Sequence, residues 1–299
     1  MSEPCISILP DRGVIAVSGE DARSFLQGIV SNDTEKVTSE QAGYGAFLTP
    51  QGKYLFDFFM AECGGLIFIE TERARIPDFI KRLSLYKLRA KVALEDVSPL
   101  YCVAAAYGPD VLDAFALLSE PGACVDFNSG IAFTDPRLIG AGARLIVPVA
   151  KADALTDLPA FQQTATGAYD LHRIKLGLPN STNDLIVDKS VLLENGFDEL
   201  NGVDWNKGCY MGQEVTARTK HRGLVKKRLL PVSIDGTTPE PGTPIMADDR
   251  EAGEMRSSCD GMGLALIRLD YLDDQGNPLT PLKVGQTTLI PSWPDWVKI

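Results

Sequence analysis

The residues best suited to chemistry lie together in KGCYMGQE, Lys207 to Glu214. A thiol acts as nucleophile, redox centre or metal ligand through its thiolate, and a nearby cation favours that form. Lys207 stands two positions before Cys209, so the pair is the candidate catalytic set. Gly208 and Gly212 flank the thiol and permit backbone conformations that bring a chain close to a ligand. Tyr210 offers a ring for stacking, and Gln213 and Glu214 offer hydrogen-bonding groups. The plain alternatives are that Cys209 is one more buried cysteine, and that the polar residues satisfy a tight turn. Arg218, Lys220, His221 and Arg222, ahead of Lys226, Lys227 and Arg228, form a basic cluster. It suits a phosphate, an acidic partner or a solvated face between domains. Trp205, just before the motif, reads as a lid or as core.

The elements that must position this segment have a mixed α+β rhythm. CISILPDRGVIAV reads as two short strands around a turn, and the following segment has helix-like apolar spacing at Ala22, Phe25, Leu26 and Ile29. A Thr-Pro-Gln-Gly turn then separates two apolar segments, and RARIPDFIKRLSLYKLRAKVALEDV predicts an amphipathic helix leading into a strand. A second half repeats the pattern: YCVAAAYG as strand, PDVLDAFALLS as helix, GIAFTDPRLIGAGARLIVPV as hairpin. The helix through GAYDLHRIKLGLP ends at Gly177 and Pro179. Beyond the basic stretch, short strands between Gly/Pro turns predict a small β-barrel. The expected domains are 1–225, bipartite α+β, and 226–299, all-β.

The chain has 299 residues with 44% hydrophobic and 23% charged residues, as expected of packed globular modules. Its formal charge of −11 makes direct nucleic-acid binding unfavourable, since that affinity rests on neutralising phosphates. The six cysteines are scattered, with no CxxC or CxxH pair, which argues against a metal site built in one short segment. With two histidines, no Ser/His/Asp order can be defended. The start, MSEPCISILPDRG, has no basic leader followed by an apolar run, and no stretch stays apolar for ~18 residues. The expectation is a cytoplasmic protein without a membrane partner.

K-G-C-Y-x-G-Q-E resembles the signature of the YgfZ family, whose fold is similar to that of the glycine-cleavage T-protein, an aminomethyltransferase that uses tetrahydrofolate. VTARTKHRGLVKKRL resembles especially the mitochondrial branch that serves iron–sulfur proteins. VSGEDARSFLQGIVSND, with Gly19, Asp21, Phe25, Leu26, Gln27, Gly28 and Asn32, also fits the family, as do TPQGKYLFD, LHRIKLGLP with Arg173, and GLALIRLD. The resemblance implies two α+β subdomains around a central cleft plus a C-terminal β-barrel. It also implies tetrahydrofolate, or a one-carbon derivative, in that cleft. Glu194 falls where T-proteins have a glutamate that reads the pterin, a bidentate contact suited to a carboxylate. Asp57 stands where T-proteins carry an acidic pair, here reduced to one carboxylate, which counts against aminomethyl transfer. Tyr210, Gln213, Glu214 and Arg218 complete the candidate folate contacts. Without the resemblance, Glu194 reads as a turn residue beside Asn195-Gly196, and Asp57 as an exposed strand-end carboxylate. The implied function is a folate-binding accessory protein for assembly or repair of iron–sulfur proteins, with client or assembly proteins as partners. A folate one-carbon enzyme, and an indirect role in tRNA modification, stay open.

Overall fold

The computed structural model describes residues 3–223 and 225–297. Two antiparallel-dominated sheets lie face to face, each covered by helices on its outer side, and a barrel closes the chain. In the first half, β1 (Cys5–Ile8), β2 (Arg12–Ser18), α1 (Ala22–Gln27), β3 (Gly43–Leu48), β4 (Tyr54–Cys63), β5 (Leu66–Glu72), α2 (Ile76–Lys87) and β6 (Ala93–Asp96) follow in order. The second half holds β7 (Tyr101–Tyr107), α3 (Val111–Ala114), β8 (Cys124–Phe127), β9 (Gly130–Thr134), β10 (Ala143–Pro148), α4 (Asp153–Thr156) and β11 (Gln162–Gln163). One sheet has the order β3-β4-β5-β2-β6, the other β11-β1-β7-β10-β9-β8. The strands on either side of the Pro10 turn therefore do not pair: β1 joins β7, whereas β2 joins β5 and β6.

Burial on both faces explains why β4, YLFDFFMAEC, reads as an almost unbroken apolar run. Phe56, Phe58 and Met60 point to the helix side with Phe79 and Leu83 of α2. Phe59 and Ala61 point to the other sheet, meeting Phe133 and Ile146. The helix α2 forms because Ile76, Phe79 and Leu83 share one face, Pro77 sits in its first turn, and Asp78 and Lys87 suit its dipole. The helix expected over PDVLDAFALLS is shorter, ending after Ala114. Ala116 adopts φ 54°, and the Leu117 amide bonds back to the Leu112 carbonyl. This closes the helix while Phe115 and Leu117 still bury against the sheet.

Then come α5 (Thr166–Lys175), α6 (Ser181–Asp184) and α7 (Gln213–His221). The barrel uses β12 (Lys227–Asp235), β13 (Pro244–Ala247), β14 (Arg250–Cys259), β15 (Met262–Arg268), β16 (Leu282–Val284) and β17 (Thr287–Pro291). It is closed in the order β12-β15-β14-β13-β16-β17, so no strand edge is left open. Arg173 ties the barrel to the core: it ion-pairs with Asp184 at 2.8 Å and donates to Ser257 at 3.0 Å. No helix among the described residues is long and apolar enough to cross a membrane.

Candidate functional site

Three sequence-distant segments meet around the thiol loop. The first is the chain after α1: Ser31 donates to the Gly202 carbonyl at 2.6 Å, and Asn32 donates to the Asn201 carbonyl at 2.7 Å. The carbonyls of Val30 and Asn32 accept the Lys207 ammonium at 2.6 and 2.7 Å. The second is the turn between β3 and β4. Gly212 has φ 80°, and a Cβ there would stand 2.6 Å from the Thr49 carbonyl oxygen and 3.0 Å from Gly52 Cα. Gly52, with φ 70°, is equally confined by Val215 and the Gly212 carbonyl. Only glycine permits both the left-handed backbone and this approach. The third is the loop itself. Asp204 accepts from the amides of Asn206 and Lys207 at 2.7 and 3.1 Å, and it ion-pairs with Lys36. The Tyr210 amide donates to Gln213 at 2.8 Å, closing the turn into α7.

On this scaffold Cys209 is exposed, whereas Cys5, Cys63, Cys102, Cys124 and Cys259 are partly buried; all six are free thiols. Lys207 is directed beneath the loop, toward the two carbonyls and over the Tyr210 ring, 5.4 Å from its centroid. Burial holds its ammonium down to about 8, against the opposing pull of Asp33 and Asp204. It stays largely protonated at neutral pH. Burial would raise Asp204, but Lys36 and the two amides more than offset it and hold the carboxyl low.

Beside the loop runs a groove of about 360 Å³, whose lining includes Asp204, Trp205, Lys207, Tyr210, Gln213, Lys220 and His221. Lys220 lies over the Trp205 ring at 4.3 Å. Burial pushes the Tyr210 phenol up to about 12, with Thr216 opposing, so it remains neutral. Tyr210, Gln213 and Lys207 are thus brought together. Glu214 and Arg218 are not in this groove: they pair with each other at 2.7 Å on the solvent face of α7, a contact of small energy.

Asp57 and Glu194 are not among the residues lining this groove. Asp57 is buried in the middle of β4, facing the second sheet, and accepts from the Tyr44 and Tyr54 hydroxyls at 3.1 and 2.8 Å. The exposed strand-end alternative is thereby set aside. Burial, then Asp57 itself, push both phenols well above their ordinary range. Asp57 lines a cavity between the sheets with Phe59, Arg12, Arg137, Arg144 and Tyr169, but its volume is only about 50 Å³. Glu194 lies in the turn of 3₁₀ helix Leu192–Asn195, closed by Gly196 at φ 76°, and does not line that cavity. Its carboxyl is raised by burial, against Lys227 and Lys53.

What sequence reasoning missed is the ionic lining of the central cavity. Glu70 is fully buried and ion-pairs with Arg12 and, at 2.7 Å, with Arg144. Arg144 also donates to the Tyr169 hydroxyl at 3.0 Å, and Arg137 pairs with Asp135 at 2.8 Å. Burial alone would raise Glu70, but the two guanidiniums outweigh it and hold the carboxyl below its usual range. A signal existed in GLIFIETE, where Glu70 shares strand parity with Phe68, yet both faces of that strand are apolar. Among the described residues, no group of three or more His, Cys, Asp or Glu forms a metal cage.

Comparison with known proteins adds kinship to this geometry. Residues 226–299 match the family described as CAF17, C-terminal beta-barrel domain. Across 95% of the chain there is 31% identity to the iron-sulfur cluster assembly factor IBA57, mitochondrial, of Mus musculus, of which the chain covers 84%. An IBA57 homolog, mitochondrial, of Aspergillus oryzae is also 31% identical, over 89% of the chain and 70% of the relative. Among solved structures, glycine cleavage system aminomethyltransferase T from Bartonella henselae has a similar fold. Its TM-score is 0.78 and its identity 16%, over 99% of this chain and 87% of that one. The cytoplasmic expectation is corrected here: these relatives are named as mitochondrial proteins.

Proposed function

The chain belongs to the YgfZ/IBA57 family, and from that premise we propose that it is an accessory protein of iron–sulfur cluster assembly that works through Cys209. The observation that carries the reading is the setting of this thiol. It is exposed on a loop that Lys207, Asp204, Gln213 and the Gly52–Gly212 contact hold in one conformation. A rigidly presented, accessible thiol suits transient ligation of iron by a thiolate. One cysteine supplies one ligand, so a cluster or iron ion passing this loop draws its other ligands from the client or carrier protein.

The test is complementation in cells lacking the native copy, with iron–sulfur enzyme activities as readout. Wild type and Cys259→Ser restore those activities, and Cys209→Ser fails at equal soluble protein level. Full restoration by Cys209→Ser would remove the thiol from the function.

Tetrahydrofolate, implied for the central cleft by the family resemblance, would meet Asp57, Arg12, Arg137, Arg144 and Tyr169 there. The cavity beside Asp57 has about 50 Å³, and a groove of about 400 Å³ that shares Asp11, Arg12, Asp170 and Asn180 with it adjoins it. Of the arginines that line the cavity, Arg12 and Arg144 are engaged by Glu70, Arg137 by Asp135 and Arg173 by Asp184, and Glu194 is not among its lining residues. No step of the proposed role runs through a folate in that cleft.

A further inference from the structure

Exposed apolar residues gather at the end of α2. Leu85, Tyr86 and Leu88 are all exposed there, Leu88 to 90% and Leu85 to 70%. Leu88 also takes φ 42°, a left-handed conformation that glycine commonly fills at helix ends. A leucine there bears backbone strain with its side chain in water, so the folded chain gains no packing from it. This tip lies beside the thiol loop. The Tyr86 ring packs edge-on to Phe47 at 5.9 Å, and Phe47 bridges to Val30, whose carbonyl accepts the Lys207 ammonium. Met211, just after Cys209 and Tyr210, packs on the cluster that holds Phe47. Val215, also exposed, meets the Gly52 turn. The same tip is basic. From Phe79 to Lys91 the chain has five Lys or Arg and no Asp or Glu. Arg82 pairs with Asp78 and Lys91 with Glu20, whereas Lys81, Lys87 and Arg89 form no ion pair among the described residues. The chain as a whole carries −11, so it repels an acidic partner except where cations gather. Local cations on an acidic molecule therefore fix where such a partner lands, and in which orientation.

We propose that the end of α2, together with Met211 and Val215, is the docking surface for an acidic protein that brings the remaining iron ligands to Cys209. Apolar side chains form its centre, and Lys81, Lys87 and Arg89 its rim. Protein–protein interfaces have this arrangement, with Tyr, Met and Arg enriched in them. A lipid surface fits less well. The helix buries its apolar face, Ile76, Phe79 and Leu83, in the core, which leaves a tip but no face to lie in a bilayer interface. The role of this surface rests on reading Cys209 as one ligand to a passing iron, although the surface itself is defined without the thiol.

Photo-crosslinking of the full chain tests it, in cells lacking the native copy. Benzoylphenylalanine replaces Leu88, or, as a control, Leu279, an exposed leucine that precedes β16. The expected result is a discrete adduct with one acidic protein from position 88 and none from position 279. Lys81→Glu combined with Arg89→Glu abolishes that adduct and the restored iron–sulfur enzyme activities, at unchanged melting curve and soluble level. Lys81→Arg combined with Arg89→Lys, which keeps the charge, retains both, and Leu279→Asp restores the activities as wild type does. The surface is ruled out if position 88 gives no adduct, if the adduct survives the charge reversal, or if the reversed variant restores the activities fully. It is equally ruled out if the adduct joins two copies of this chain. Binding of the purified chain to phosphatidylcholine–cardiolipin vesicles that Leu88→Ser abolishes would make the tip a membrane contact instead. Cys209→Ser separates the two readings, because docking needs no thiol. An unaltered adduct in that variant keeps the surface even if the thiol proves dispensable, and absence of any adduct removes the surface while leaving the complementation result for Cys209 intact.

Discussion

Replacing Gly212 by alanine should detach the thiol loop from the β3–β4 turn, and the cost follows from its surroundings. At φ 80° an L side chain is strained by ~1–2 kcal/mol. The new Cβ would also meet the Thr49 carbonyl oxygen at 2.6 Å, Leu48 Cβ at 2.9 Å and Gly52 Cα at 3.0 Å. Two of these three neighbours are backbone and cannot rotate away, so overpacking adds ~1–3 kcal/mol. The expected destabilisation is ~2–5 kcal/mol, a fall in melting temperature of ~3–8 °C for a chain of this size. Gly208→Ala is the control. A Cβ there meets nothing within 4 Å, and its φ is not in the left-handed region. Its effect should stay within ~1 kcal/mol. Gly52→Ala strains the same contact from the other side, so the double variant should cost clearly less than the sum, by ~1 kcal/mol or more. Thermal melting measures the totals, and hydrogen exchange at the amides of Tyr210, Gln213 and Thr216 locates the opening. If Gly212→Ala melts with Gly208→Ala and exchange at those amides is unchanged, the glycine contact does not hold the loop.

Two further outcomes follow from the buried polar groups. Glu70→Gln leaves two buried guanidiniums without their counter-charge and should cost ~3–5 kcal/mol by urea unfolding at pH 7. Because the folded carboxyl of Glu70 is held below its unfolded value of ~4.3, its stabilisation is complete above that pH and disappears as pH falls through the folded value. Unfolding at pH 7, 5, 4 and 3 should therefore show an acid-side loss in wild type that is reduced in Glu70→Gln. Asp57→Asn keeps the volume but replaces one acceptor oxygen by a donor facing a phenol, and should lower stability by ~1–3 kcal/mol. A wild-type denaturation midpoint for Asp57→Asn would show that the two tyrosines do not depend on the charge.

Much of this molecule is legible from its residues. Apolar periodicity marks α1, α2 and α5, turn residues mark the barrel, and a run of reactive types at Lys207–Glu214 marks the exposed thiol loop. Those signals are local, set by backbone permissiveness and by which face of an element must leave water. Their reach ends where both faces of a strand are buried. Nothing in YLFDFFMAE or GLIFIETE says which parity faces the second sheet, so Asp57 reads as a strand-end acid and Glu70 goes unnoticed. Only the packing of two sheets turns both inward, toward tyrosines and arginines from distant strands. The same holds for β1 and β2, which are neighbours in sequence but lie in different sheets. It holds again at the thiol loop. The sequence by itself determined that Gly52 and Gly212 both allow sharp turns and that Cys209 stands among cations and aromatics. Only the tertiary structure decided that the two glycines touch, that Lys207 points beneath the loop to Val30 and Asn32, and that Asp57 is buried against Tyr44 and Tyr54. Such contacts depend on the three-dimensional meeting of residues far apart in the chain, which no local propensity encodes.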